Sequence, residues 1–152
     1  MAKAVFKKAM HASQLLNEPI EYGKSFSRGL RVEVGDATIL FISGTASIDA
    51  KGNSHRPGDF SAQAKRTFYN ITALLRSEGA NWHDIIQTRC YLKDMRDYDK
   101  FNELRNKFYK KKQLKPFPAS VCIEANLCRQ ELLVEIEALA MIRGTSRSKK
   151  KG

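Results

Sequence analysis

The chain has 152 residues, a formal net charge of +11, and 42% hydrophobic against 28% charged residues. That balance excludes a disordered chain, and the length fits one domain able to bury its own core. No apolar run approaches the ~20 residues that span a bilayer, and 3 Cys without a CxxC spacing plus 3 scattered His argue against a disulfide framework or a structural metal.

Residues 1–18 read as an N-terminal arm. The opening MAKAVFKKAMHASQLL lacks an apolar core stretch, so no secretory signal is expected, and the odd cysteine count reads as reduced thiols of a cytoplasmic protein. From Ser27, SRGLRVEVGDATILFISGTASID reads as strand, turn, strand, with Gly35-Asp36 as the turn signal and TILFI as a short β-rich run. The loop DAKGNSHRPGD follows, punctuated by Gly52 and Pro57. The period then changes. Ala64, Phe68, Ile71 and Leu75 recur at helical spacing, with Asp59 or Ser61 as N-cap and Gly79 where a left-handed C-terminal residue belongs.

Ile86, Thr88, Cys90 and Leu92 alternate with Gln87, Arg89 and Tyr91, which is a strand. Tyr98, Phe101, Leu104 and Phe108 restore the helical period. Two strands close the fold. SVCIEA puts Val121 and Ile123 on one face, expected to be the core face, and Ser120, Cys122 and Glu124 on the other. LLVEIEALAMI sets Val134, Ile136, Ala138 and Ala140 against Leu133, Glu135, Glu137 and Leu139. Residues 143–152 are a basic tail, expected to lack order.

The order ββ(β)αβαββ implies an α+β sandwich, a mixed sheet of about six strands with both helices on one face. The other face then carries Tyr91, Leu133, Leu139 and Met141 beside Arg89, Cys122, Glu124, Glu135 and Glu137. A face of that apolar content is expected to pack against other subunits, with its polar residues near clefts at the boundary. The positive charge concentrates at 105–115 and 143–152, where it would attract small anionic metabolites or nucleic acid. Nucleic acid is the less favoured partner, because no RNP, zinc-finger or helix-turn-helix pattern accompanies the charge.

LFISGTASID, NITALLRSEGANWHDIIQTRCYLKDMRDYDKFNELRNKFY and LLVEIEALA together resemble the YjgF/RidA family of reactive intermediate deaminases, from about Tyr22 to Met141, within one domain over residues 19–142. The resemblance implies a chorismate-mutase-like fold, a homotrimer with clefts between subunits, and cofactor-free hydrolysis of enamines and imines to 2-oxo acids and ammonia. It implies that Glu135 holds the attacking water and that Tyr22 closes the pocket. The family's carboxylate-binding arginine, two residues past a proline, falls on Ser120 in FPAS. A hydroxyl does not supply the planar charged fork of a guanidinium. Arg89 or Arg129 is therefore expected to replace that cation, with Ser120 beside Glu135 in the chemistry and with Tyr91, Cys122 and Glu124 lining the substrate. The second departure is EYGKSFSRG in place of GPYSQ, and EYGKSFSRGLRV, FISGTASID and LCRQELLVEIEA together are similar to the chorismatase and pteridine-dependent deoxygenase branch. That similarity keeps a single-copy enol-ether enzyme open. A non-catalytic metabolite binder and, less favoured, an RNA-binding or endoribonuclease role also stay open.

Overall fold

A computed structural model describes residues 5–144. The elements are β1 (Phe6–Ala9), β2 (Gly29–Val34), β3 (Ala37–Ala46), α1 (Phe60–Ser77), β4 (Ile85–Leu92), α2 (Tyr98–Lys112), β5 (Ala119–Glu124) and β6 (Val134–Arg143). Among the described residues the strands form one 6-stranded sheet in the order β1-β2-β3-β6-β4-β5. The pairings are antiparallel except β4–β5, which is parallel because α2 carries the chain back across the sheet. This is the α+β sandwich expected from the changes of hydrophobic period.

The helices begin and sit where their sequence dictates. The Asp59 carboxylate accepts from the Ala62 backbone N–H at 2.9 Å and caps α1. Gly79 takes φ +72° just past its end, a left-handed conformation that glycine adopts without strain. Phe68 of α1 stacks on Phe108 of α2 at 4.7 Å between centroids and meets Trp82 edge-on at 5.8 Å. Beneath them, Leu40, Ile42, Leu92, Val134, Ile136, Ala138 and Ala140 are buried and close one core on one sheet face.

Two buried amides tie this core to the loops. The Gln63 side chain donates to Arg56 O and Glu131 O and accepts from the Leu133 N–H, while Asn70 donates to Ala46 O and Ile48 O. Helix α1 thereby fixes both the 46–56 loop and the turn before β6.

Three local features differ from the sequence reading. Strand β1 lies inside the expected arm and pairs with β2, Phe6 opposite Glu33; four residues with two lysines are too short to show a period. Met10 and Leu16, also in the arm, are fully buried. The third difference concerns β5. Its parallel register sets Ser120 beside Thr88 and Cys122 beside Cys90, so Ser120, Cys122 and Glu124 point to the helix side. Val121 and Ile123 point to the open face instead. Of the tail, only residues 143–144 fall within the described residues, and the expectation for 145–152 lies outside them.

The open face mixes charged with large apolar side chains. Phe41, Val121, Ile123 and Met141 are 43–47% exposed there.

Candidate functional site

Glu135 is placed by a distortion of its neighbour. Between Ile42 and Thr45, β3 slips register against β6, so that Ser43 and Gly44 occupy an extra position. Hydroxyls pin this bulge: Ser43 Oγ donates to Ser27 O at 2.6 Å, and Thr45 Oγ1 donates to Ser43 O at 2.8 Å. The Glu135 carboxylate lies directly over Gly44, and a Cβ at residue 44 would overlap its Oε1. The absence of a side chain at 44 therefore makes the space that Glu135 fills. With Tyr91, Glu137 and residues 125–128, these groups line a cavity of about 270 Å³.

Electrostatics distinguish the two carboxylates. Burial pushes the Glu135 carboxyl above its ordinary value, and the charge of Glu137 adds to the rise. Glu137 is partnered: Arg89 Nη1 donates to its Oε1 at 2.8 Å and Tyr91 Oη donates to the same oxygen at 3.2 Å. Two adjacent acids thus have different environments, one desolvated and one ion-paired. That asymmetry suits acid–base chemistry at Glu135.

A second cluster sits at the outer edge of the sheet, on the helix side of β5. The Ser120 hydroxyl accepts from Thr88 Oγ1 at 3.3 Å and from Arg105 Nη1 at 3.2 Å. Arg105 reaches it from α2, its guanidinium 5.1 Å above the Phe101 ring. Cys90, Cys122 and Tyr109 surround this group. Burial pushes both thiols up and raises the Tyr109 phenol to about 12, so all three stay neutral. Glu124 is used elsewhere, its Oε2 accepting from the Met95 N–H at 2.7 Å.

A third cluster gathers at the loop end. The Tyr22 ring lies between Arg28, 5.8 Å away, and Arg129, 6.0 Å away. Arg129 Nη1 donates to Gly52 O at 2.8 Å and to Ser54 Oγ at 3.3 Å. Arg28 is buried and donates to Asn17 O at 2.9 Å and to Asn17 Oδ1 at 3.0 Å.

This arrangement has counterparts of known structure and sequence. The endoribonuclease L-PSP family pattern matches residues 21–142. A RutC family protein of Saccharolobus solfataricus is 34% identical over 115 residues, 76% of this chain and 85% of that protein. One from Pyrococcus horikoshii is 36% identical over 101 residues, 66% of this chain and 77% of that protein. The YjgF gene product of E. coli superposes with a TM-score of 0.70 at 26% identity, over 88% of this chain and 97% of that one. E. coli TdcF with bound serine gives a TM-score of 0.74 at 23% identity, over 89% and 98% of the two chains. The chain belongs to the endoribonuclease L-PSP (YjgF/RutC) family.

As an L-PSP family member it distributes its candidate residues unevenly. Glu135, Tyr91 and Arg89 share the open face, and Arg89 is committed to Glu137. Ser120, Cys122 and Glu124 do not share it, contrary to the sequence expectation, because the register with β4 sets their parity. Tyr22 and Arg129 do meet, though Arg129 is also anchored to the 52–54 loop. Sequence reasoning missed Arg105, Gly44 and Arg28. Arg105 stands four residues after the buried Phe101, hence on the flank of the core stripe of α2, which was the available signal. Gly44 carried no signal in the sequence, because the bulge is defined by the register of β3 against β6, a strand distant in the chain.

Proposed function

We propose that this L-PSP family chain hydrolyses a small imine- or enamine-bearing carboxylate to a 2-oxo acid and ammonia, in a cleft completed by neighbouring copies of a homotrimer. Glu135 carries the reading: a carboxylate seated over Gly44, with its proton affinity raised by burial and by Glu137. Such a group is poised to exchange protons nearer neutral pH than an exposed carboxylate.

The chemistry balances without a cofactor. Ionised Glu135 takes a proton from water as the water oxygen bonds to the imine carbon. Glu135 returns that proton to the nitrogen as the carbon–nitrogen π pair moves onto it, which gives a carbinolamine. Glu135 then takes the carbinolamine hydroxyl proton and delivers it to the amine as the carbonyl forms and the remaining carbon–nitrogen bond breaks, so ammonia leaves, the 2-oxo acid forms and Glu135 ends ionised as it began. Tyr91 holds Glu137 in place, and Tyr22 with Arg129 closes one end of the cleft. The serine bound to E. coli TdcF supports a ligand of this size and functional class. The mixed apolar and charged open face supports subunits packing around the cleft.

The test generates the imine in place with an amino-acid oxidase and traps it with semicarbazide. The protein is expected to compete with the trap and lower the rate of semicarbazone formation. A rate equal to that without protein, for imines of several side-chain sizes, would contradict the reading.

A further inference from the structure

We propose that Glu137 is a second substrate-binding carboxylate, whose Oε2 accepts a hydrogen bond from the substrate nitrogen in the Glu135 cavity. This deepens the reading above and rests on it. The two acids stand two residues apart on β6, on one face of the strand and about 7 Å apart along it, and both line the cavity. Half of the Glu137 carboxylate is taken and half is open. Its Oε1 accepts from Arg89 Nη1 at 2.8 Å and from Tyr91 Oη at 3.2 Å, and among the described residues no donor meets Oε2. Two donors on one oxygen fix the rotation of the group, which makes Arg89 and Tyr91 positioning residues. Arg89 does so from behind. It lies opposite Glu137 on β4 and lines a neighbouring cavity with Leu30, Phe41 and Leu139, while the Glu135 cavity is lined without it.

The charge balance of the cavity favours a nitrogen ligand. Among the described residues, its lining holds two carboxylates and no lysine or arginine. The charge of Glu137 reaches Glu135, so one small molecule can touch both groups. An imine N–H supplies the donor that Oε2 lacks. The same nitrogen gains positive charge as it is protonated, and a charge-assisted hydrogen bond in a poorly solvated place is stronger than one in water. A nitrogen lying between the two acids is thus held by Glu137 while it receives its proton from Glu135. Glu137 itself transfers no proton.

Binding and turnover are measured separately, so that this proposal and the hydrolase reading can fail apart. L-Serine, which carries an ammonium group, and pyruvate, the nitrogen-free 2-oxo acid of the simplest imine, are titrated by calorimetry into wild type, Glu137→Gln and Glu137→Asp. The same proteins are assayed on a 2-imino acid and on an imine of similar size without a carboxylate. Glu137→Gln keeps the shape and loses the charge. It is expected to weaken serine binding about 10- to 100-fold and to lower kcat/KM on both imines by a similar factor, with pyruvate affinity within about twofold of wild type. Glu137→Asp, with the charge on a shorter arm, is expected to recover part of the loss. If Glu137→Gln melts below wild type, Glu137→Asp against Glu137→Asn gives the same comparison, since that pair differs in charge at equal shape. Serine affinity and kcat/KM within about twofold of wild type in the uncharged variant overturn the proposal while the hydrolase stands, and so does an equal loss of serine and pyruvate, which would make Glu137 a shaping residue only. Wild type that binds serine through Glu137 without turnover supports the proposal and removes the hydrolase reading. Wild type that neither binds serine nor turns over removes both.

Discussion

At the scale of single residues, Glu135 and Gly44 form one unit. The Glu135 atom that a Cβ at 44 would meet is the far end of a flexible side chain, so the carboxylate can swing aside while the backbone stays. Gly44→Ala is therefore expected to lower kcat by about tenfold or more while the melting temperature changes little, since misplacing a catalytic group is costly. A kinetic assay beside a thermal melt checks both halves. The raised proton affinity of Glu135 has its own consequence for stability. Ionised Glu135 is less comfortable in the fold than in the unfolded chain, so its contribution is intact below the ordinary carboxylate value and is lost as pH rises through the raised one. Glu135→Gln removes that loss. The variant should melt a few degrees above wild type at about pH 8, with the gap closing near about pH 4, as paired thermal melts would show.

At the scale of elements, helix α1 is both core and scaffold. Replacing Gln63 by Leu keeps volume but leaves Arg56 O, Glu131 O and the Leu133 N–H without their partner. Each buried group so orphaned costs about 1–3 kcal/mol, so a loss of about 3 kcal/mol or more is expected in denaturant unfolding. The elements also show what the sequence discloses. The period of α1, α2, β4 and β6 was legible because each buries one face against a single partner layer. Strand β5 was legible as a strand but not as to its faces. Val121 and Ile123 look like core residues, and only the register with Thr88 and Cys90 reveals that they face outward. Strand β5 carries apolar residues on its outward face, and alternation alone does not say which side the helices take. Strand β1 and the bulge at Ser43-Gly44 escaped because both are defined by their partners. Arg105 escaped for a related reason: Ser120 was assigned to the opposite face, so no helix was sought beside it.

At the scale of the molecule, the open face organises the account. It joins apolar Phe41, Val121, Ile123 and Met141 to the Glu135 cavity, and three copies packed through it would shield both. Light scattering should give a mass three times that of the 17.2 kDa chain. Phe41→Lys combined with Met141→Lys should reduce that mass and abolish imine turnover together, since a lysine on a buried apolar interface is left without a partner. A wild-type monomer that remains active would remove the subunit boundary from the mechanism.

The central claim is that Glu135 moves the proton. The most direct measurement compares imine hydrolysis by wild type, Glu135→Gln and Glu135→Asp, each first confirmed to have the same oligomeric mass and a bound pyruvate affinity within a few-fold of wild type. The account predicts that Glu135→Gln loses about 100-fold or more in kcat, within the range typical of general acid–base catalysis, and that Glu135→Asp retains part of the activity. Glu135→Gln with the full kcat of wild type would contradict it.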